Sequence, residues 1–213
     1  MAQSTSDHSP ERAMPARFSI NFDYRCPFAR NANEHVLTAL EAGAPWEVDF
    51  VPFSLSQAHV PDGEPAVWEQ PDRRADLLAL GAGVVLRDRF PELFRAGHLE
   101  LFGARHDHGG DLRDLGVVRA ALERAGADAG AVLAELDDGW PFETLRKEHE
   151  RSVAEHSVFG VPTFVLAGSA VFVRLMTRPR GDGDLATRTI GRVLELVSGA
   201  GELNEFKHTT IPR

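Results

Sequence analysis

The sequence predicts an α/β fold: a four-stranded mixed sheet with helices on both faces and an all-helical block between its two halves. Strand, helix and strand patterns follow one another over Phe18–Phe53, and a hairpin and a final helix follow over Phe159–Val197. Between these two parts, from about Arg73 to Trp140, apolar residues recur at helical spacing and no strand pattern is found.

The first strand and helix, FSINFDYRCPFARNANEHV, contain the only cysteine of the chain. Alternate residues over Phe18–Phe22 are apolar, as in a strand with one buried face. Cys26 is predicted to be the N-cap of the helix and Pro27 its first residue, where a missing N–H has no cost. An apolar helical stripe then continues to Gly43.

This position makes Cys26 a candidate nucleophile. A thiol at a helix N-terminus faces unpaired N–H groups and the positive end of the helix dipole, which favour the thiolate. Such a site lowers a cysteine pKa from about 8.5 into the range of about 3.5–7.5. The sequence therefore predicts a lowered pKa for Cys26. The alternative is that a lone cysteine is simply a small buried apolar residue.

The later elements follow from similar patterns. Trp46–Phe53 alternates again, so it is predicted to lie parallel to the first strand, and Pro52 indicates an edge position or a strand end. A helix is predicted over Pro141–His156 and a strand within Phe159–Leu166. A short turn leads to a last strand over Ala170–Met176, which must pair antiparallel with the strand before it.

Composition and charge argue against several classes of function. The chain has 213 residues, 43% of them hydrophobic, which is enough for a core without metal or disulfide support. A net charge of −9 argues against non-specific binding to nucleic acid or to an anionic membrane, and no apolar run approaches a membrane span. The polar N-terminus does not resemble a signal peptide. A single cysteine suits a reducing compartment, so a cytoplasmic location is predicted.

The order of elements, with CPF opening the first helix and VPTF opening the third strand, resembles the thioredoxin-fold DsbA family. Relatives of that family include 2-hydroxychromene-2-carboxylate isomerases and kappa-type glutathione transferases. The resemblance covers about Arg17 to Val197 and implies a thioredoxin-like fold with an inserted helical domain. The expected domains are a disordered leader over 1–16, a thioredoxin-like domain over 17–60 and 150–200, a helical insertion over 61–149, and a tail over 201–213.

The resemblance also assigns roles to individual residues. Cys26 matches the attacking cysteine of the C-x-x-C motif, and Pro27 and Phe28 occupy the two middle positions. Pro162 matches the cis-proline that faces the active site. Val161 matches the residue before that proline, whose backbone pairs with an extended substrate or a bound thiol.

Two arginines flank the cysteine in the sequence. Arg25 and Arg30 are predicted to support a thiolate or to bind the carboxylates of a thiol co-substrate. Solvated surface positions are the alternative for both residues.

Ala29 stands where the redox members of the family carry the resolving cysteine. A dithiol oxidase releases its mixed disulfide by attack of that second thiol. The leading hypothesis is therefore a DsbA-like thiol–disulfide oxidoreductase that uses Cys26 alone with a low-molecular-weight thiol, such as glutathione or mycothiol. One alternative is a thiol-dependent transferase or isomerase of small electrophilic or aromatic compounds. Another is a non-catalytic thioredoxin-fold binding module.

No tightly bound cofactor and no metal are predicted. The expected partner is a small thiol or electrophile, with a protein thiol and a homodimer left open, and without nucleic acid or membrane. The run His106-Asp107-His108 lacks a well-spaced third metal ligand, so it is interpreted as a loop or as a segment that closes over the active site. His149 and His156 are predicted to lie on a solvated helix face.

Overall fold

The sheet has four strands in the order β2-β1-β3-β4 in the computed structural model, which describes residues 16–210. The strands are β1 (Ala16–Phe22), β2 (Trp46–Pro52), β3 (Thr163–Leu166) and β4 (Ser169–Phe172). β1 pairs parallel with β2 and antiparallel with β3, and β4 pairs antiparallel with β3. This mixed sheet confirms the predicted fold class, and β2 lies at an edge as Pro52 indicates. The expected leader lies outside the described residues, except for Ala16.

Helices account for most of the chain between β2 and β3. The α-helices of the described part are α1 (Pro27–Glu41), α2 (Leu55–Ala58), α3 (Leu78–Arg89), α4 (Pro91–His106), α5 (Leu115–Arg124), α6 (Ala129–Asp137), α7 (Trp140–His156) and α8 (Gly183–Gly199). Short 3-10 helices lie at Val67–Glu69 and Pro71–Leu77. The run of helices from α2 to α7 confirms the predicted helical insertion. No helix in residues 16–210 has the length and apolarity that a membrane span needs.

The two faces of β1 explain how the sheet is covered. Phe18, Ile20 and Phe22 are at most 2% exposed and belong to the main core. Asn21 points to the opposite face, because side chains alternate along a strand, and its Nδ2 donates to Ser152 Oγ of α7 at 3.0 Å. On the other side of the molecule α1 packs against α8.

The register of β3 brings the two halves of the chain together at one point. Asn21 is paired with Thr163, the first residue of β3. Because β3 runs antiparallel to β1, the residues just before Thr163 lie at the carboxyl end of β1. Val161 and Pro162 therefore meet the turn that carries Cys26, as the topology predicts.

β4 is shorter than predicted. It ends at Phe172. The Val173 N–H still donates to Pro162 O at 3.1 Å, and the following residues continue along α1. Asn31 Nδ2 of α1 donates to Leu175 O at 2.8 Å, and His35 Nε2 bonds Thr177 O at 3.1 Å. The prediction of a strand to Met176 was wrong because side chains of α1, rather than a neighbouring strand, satisfy these carbonyl groups.

Candidate active site

Cys26 lies at the junction of β1, α1 and the start of β3. Its backbone is extended, it is the N-cap of α1, and Pro27 is the first helical residue. The Ala29 N–H donates to Cys26 Sγ at 3.4 Å, and Sγ donates to Val161 O at 3.2 Å. The residue is 8% exposed. The thiol therefore has a hydrogen-bond donor from the helix on one side and an acceptor from the segment that leads into β3 on the other.

Burial raises the pKa of the Cys26 thiol above its ordinary value. The Ala29 and Phe28 N–H groups and the Arg174 charge act in the opposite direction, and the Asp23 charge adds to the increase. The prediction of a lowered pKa was wrong, because removal of the sulfur from water outweighs the helix amides here. A protonated thiol also agrees with its hydrogen bond to a carbonyl oxygen.

Four other residues that the sequence assigns to the site differ in how far they are exposed to solvent. The Val161–Pro162 peptide bond is cis, and both residues are buried. Pro27 is exposed and Phe28 is half-buried. These four residues form the immediate surroundings of Cys26, with the exposed part on the α1 side.

The two arginines predicted to support the thiol contact carboxylates instead. Arg25 pairs with the buried carboxylate of Asp23 at 3.2 Å. Asp23 also accepts hydrogen bonds from the backbone N–H of Arg25 and of Leu55, each at 2.8 Å. Arg30 pairs with Asp107 at the end of α4. For either guanidinium to bind a co-substrate, it would have to leave these partners.

Arg174 is the basic residue whose charge acts on the sulfur, and sequence reasoning missed it. It follows β4, and its guanidinium carbon lies 5.5 Å from the centroid of the Phe28 ring and 5.6 Å from that of Phe172. The sequence carries no local signal for this contact, since it depends on the early end of β4 and on the path of residues 173–179 along α1.

Three phenylalanines form an aromatic patch beside the thiol. Phe159 is 73% exposed and its ring lies 5.3 Å from that of Phe172, centroid to centroid. Phe28, which Arg174 bridges to Phe172, completes the patch. Phe159 lies two residues before Val161, whose carbonyl accepts the hydrogen bond of the thiol, so the patch gives the site an apolar contact surface.

A buried polar network lies behind the site. Tyr24 Oη donates to His98 Nδ1 at 2.9 Å, and His98 Nε2 donates to Asn33 Oδ1 at 3.0 Å. Asn33 Nδ2 donates in turn to Ala29 O at 2.8 Å, which leaves Oδ1 as the acceptor and so assigns the proton of His98 to Nε2. Burial lowers the pKa of His98 to about 3, so the ring is neutral. The network joins α4 to the turn and the helix that carry Cys26.

The His106-Asp107-His108 run connects the helical insertion to the same turn. His106 Nε2 bonds Tyr24 O at 2.9 Å, and Asp107 pairs with Arg30 and, at 3.4 Å, with Arg178. Within residues 16–210 no group of three or more His, Cys, Asp or Glu side chains could hold a metal ion.

His149 is buried, so the prediction of a solvated position was wrong. It is 4% exposed, its ring lies 4.2 Å from that of Phe53, and the Ser54 N–H donates to its Nδ1 at 3.2 Å. Burial lowers its pKa to about 4. The charged neighbours of His149 in the sequence occupy the other faces of α7. His156, at the end of that helix, is half-buried.

Comparison with known proteins shows what the chain is similar to. Residues 93–177 match the family model of the DSBA-like thioredoxin domain. The matched residues are similar to that domain and make up less than half of the chain. The chain is also 28% identical over 163 residues to the uncharacterized protein Rv2286c of Mycobacterium tuberculosis, and the match covers 75% of this chain and 68% of that protein.

Solved structures share the fold of this chain. A 2-hydroxychromene-2-carboxylate isomerase has a TM-score of 0.58 at 14% identity, over 85% of this chain and 98% of the isomerase. MdbA, a thiol-disulfide oxidoreductase from Actinomyces oris, has a TM-score of 0.56 at 17% identity, over 87% and 81% of the two chains. The fold of this chain is thus found in both an isomerase and an oxidoreductase. The sole cysteine of the chain is Cys26.

Proposed function

We propose that the protein catalyses thiol–disulfide exchange through Cys26 alone, with a small thiol as co-substrate. One observation carries this proposal: Cys26 Sγ lies between the Ala29 N–H of the helix terminus and the Val161 carbonyl, next to an exposed aromatic patch. The sulfur thus has stabilising amide groups on one side and a surface for a substrate on the other. The DSBA-like fold is consistent with thiol–disulfide oxidoreductase or isomerase chemistry.

In the first step the thiolate of Cys26 attacks one sulfur of a disulfide R–S–S–R. A Cys26–S–S–R bond forms, the original S–S bond breaks, and RS⁻ leaves and takes up a proton from water. The Ala29 and Phe28 N–H groups, which lower the pKa of the thiol, stabilise negative charge on the attacking sulfur. Because burial raises that pKa, only a small fraction of the free protein carries the thiolate at neutral pH.

In the second step a small thiol must release the enzyme. Ala29 has no sulfur, so the chain cannot form an internal disulfide. The thiolate of a second molecule, R′S⁻, attacks the R sulfur; R′–S–S–R leaves and the Cys26 thiolate returns. Glutathione and mycothiol are the candidate co-substrates.

Intact-mass spectrometry tests this proposal. The reduced protein is incubated with glutathione disulfide, and in parallel with the mycothiol disulfide, and is then treated with the matching free thiol. We expect one adduct per chain, its removal by the free thiol, and no adduct on the Cys26→Ser variant. The Ala29→Cys variant is the matched control, since its adduct should give way to an internal disulfide. A native chain that resists both disulfides, while the urea-unfolded chain reacts, would contradict the proposal.

A thiol-dependent transferase or isomerase is the second candidate function, and the aromatic patch is the observation that favours it. Phe28, Phe159 and Phe172 offer a surface for a small aromatic compound, to which a bound thiol cofactor could add. The Cys26→Ser variant distinguishes the two candidate functions. Thiol–disulfide exchange must disappear in that variant, whereas a reaction in which the cofactor supplies the sulfur would survive in part. Binding of a small thiol with neither reaction would identify the non-catalytic module.

We further propose that the protein acts in the cytoplasm. Resolution by an external thiol needs a compartment rich in reduced small thiols, and a chain with one cysteine gains nothing from an oxidising one. Cell fractionation of the tagged full chain checks this location, and recovery outside the cytoplasmic fraction would contradict it.

A further inference from the structure

We propose that Arg174 is a specificity-determining residue that recognises an anionic group on the substrate of Cys26. The inferred substrate class is an aromatic or apolar compound that carries a carboxylate near its reacting disulfide. The inference rests on the proposed thiol–disulfide function and adds a substrate preference to it. Three features of Arg174 support it: the aromatic rings that hold its side chain, the absence of a carboxylate partner in residues 16–210, and the exposed phenylalanine nearby.

The guanidinium of Arg174 is held by two aromatic rings. It lies 5.5 Å from the centroid of Phe28 and 5.6 Å from that of Phe172, within the range of cation–π contacts. The backbone next to it is attached to α1, because Asn31 Nδ2 donates to the carbonyl of Leu175. These contacts limit the freedom of a side chain that is otherwise exposed. A guanidinium fixed in this way loses less entropy when it binds an anion.

Arg174 has no carboxylate partner within residues 16–210. The other arginines around α1 do have one: Arg25 pairs with Asp23, Arg30 with Asp107, and Arg178 with Glu34. The Arg174 charge also lowers the pKa of one carboxyl group, that of Glu205. Glu205 pairs with Lys207 instead, at 2.5 Å, and that lysine is the main cause of its lowered pKa.

The surroundings of Arg174 define what else the ligand must contain. Phe159 stacks on Phe172 and is largely exposed, so an aromatic or apolar group can pack there while an anion meets the guanidinium. Arg174 lies over the ring of Phe28, two residues after Cys26, so one small molecule can contact both the guanidinium and the thiol. Its charge also lowers the pKa of Cys26. Arginine binds carboxylates with two parallel N–H···O bonds, a geometry that suits this substrate class.

A pair of aromatic disulfides tests the inference. Dithiobis(nitrobenzoate) carries a carboxylate on each ring, and dithiodipyridine is uncharged at neutral pH. Each forms a Cys26–S–S–aryl bond and releases one light-absorbing product, the thionitrobenzoate thiolate from the first reagent and the protonated thiopyridone from the second, so stopped-flow absorbance gives both rates. For Arg174→Met we expect the ratio of the charged to the neutral reagent's rate to fall about fivefold. Arg174→Lys should retain part of the ratio.

Arg119→Met is the matched control, because Arg119 is exposed on α5 and the change in net charge is the same. Its ratio should equal that of the unmodified protein. An equal fall in both rates for Arg174→Met would show that Arg174 acts only on the pKa of Cys26, and would overturn this inference alone. Failure of the unmodified protein to react with either reagent would overturn it together with the proposed function of Cys26.

Discussion

The two sides of α1 use the same kinds of residue in opposite ways. Phe28 and Arg30 point apart, since two residues advance a helix by about 200°. On the Arg30 side, charged and polar groups from α4 and α1 pair with one another. On the Phe28 side, Arg174 contacts aromatic rings and forms no ion pair with a carboxylate of residues 16–210. Paired groups join the insertion to the cysteine helix, whereas the unpaired cation is free to meet a ligand.

The largest expected effect is the response of the stability to acid, which depends on two buried histidines, His98 of α4 on the paired side and His149 of α7. Burial lowers the pKa values of His98 and His149 to about 3 and about 4, below an ordinary value of 6.5. As the pH falls below 6.5, these histidines bind protons in the unfolded chain but not in the folded chain, so the free energy of unfolding falls. Each histidine contributes about 1.4 kcal/mol per pH unit, and on the order of 4 kcal/mol should be lost between pH 7 and about pH 4.5.

Urea unfolding followed by circular dichroism at several pH values measures this loss. His149→Gln should make the profile markedly less steep, because one of the two buried groups no longer titrates. A stability that stays constant from pH 7 to about pH 4.5 would contradict the neutral state of these histidines.

The next largest effect is expected at His98 itself. His98→Leu removes the acceptor of the Tyr24 hydroxyl and the donor to Asn33, and both groups are buried. Two buried polar groups without partners should lower the free energy of unfolding by about 3 kcal/mol. The same change at the exposed His59 is the control and should cost less than about 0.5 kcal/mol. A loss of the same small size at His98 would show that the network contributes nothing.

A smaller effect is expected for the ion pairs. Asp107→Asn weakens the contacts with Arg30 and Arg178 and should cost about 1 kcal/mol, since the pairs are only partly buried. Arg174→Met, on the unpaired side, should change stability by less than about 0.5 kcal/mol. Thermal unfolding of the two variants compares the two sides directly. Equal losses would contradict the distinction between them, as would a change in disulfide selectivity for Asp107→Asn.

The smallest effect is expected on the thiol. Burial raises the pKa of Cys26, so the rate of alkylation by iodoacetamide should still be increasing at a pH where a free cysteine has levelled off. Arg174→Met should move the midpoint slightly higher, because a nearby positive charge is lost. Mass spectrometry of the alkylated chain gives the profile. A midpoint below that of a free cysteine would contradict the effect of burial and would agree with the lowered pKa that the position of Cys26 at a helix N-terminus predicts.

The parts of the fold that the sequence predicts are those with local causes. The alternation over β1, the helix start at Cys26-Pro27 and the tight turn before β4 each depend on neighbouring residues, and each was found where expected. The length of β4 was not, because residues 173–179 are held by side chains from α1, more than a hundred positions earlier in the chain.

The site was predictable only where a motif could be matched. The positions of Cys26 and Val161 followed from the element order, but the pKa of the thiol depends on how deeply distant segments bury it. His149 shows the same limit, since Phe53 and Ser54 cover it from another element. Arg174 belongs to no motif, and its approach to Phe28 arises from the path of an irregular segment.

The attachment of residues 173–179 to α1 has a mechanical consequence. Cys26 caps this helix, Phe28 belongs to it, and Asn31 ties the segment that bears Arg174 to it. The other end of that segment is held by the sheet side, because the Val173 N–H donates to Pro162 O at 3.1 Å. The spacing between the thiol and the cation is therefore fixed from two sides. Because this spacing is fixed, mild heating or low denaturant should change the rates of charged and neutral disulfides together, at a constant ratio.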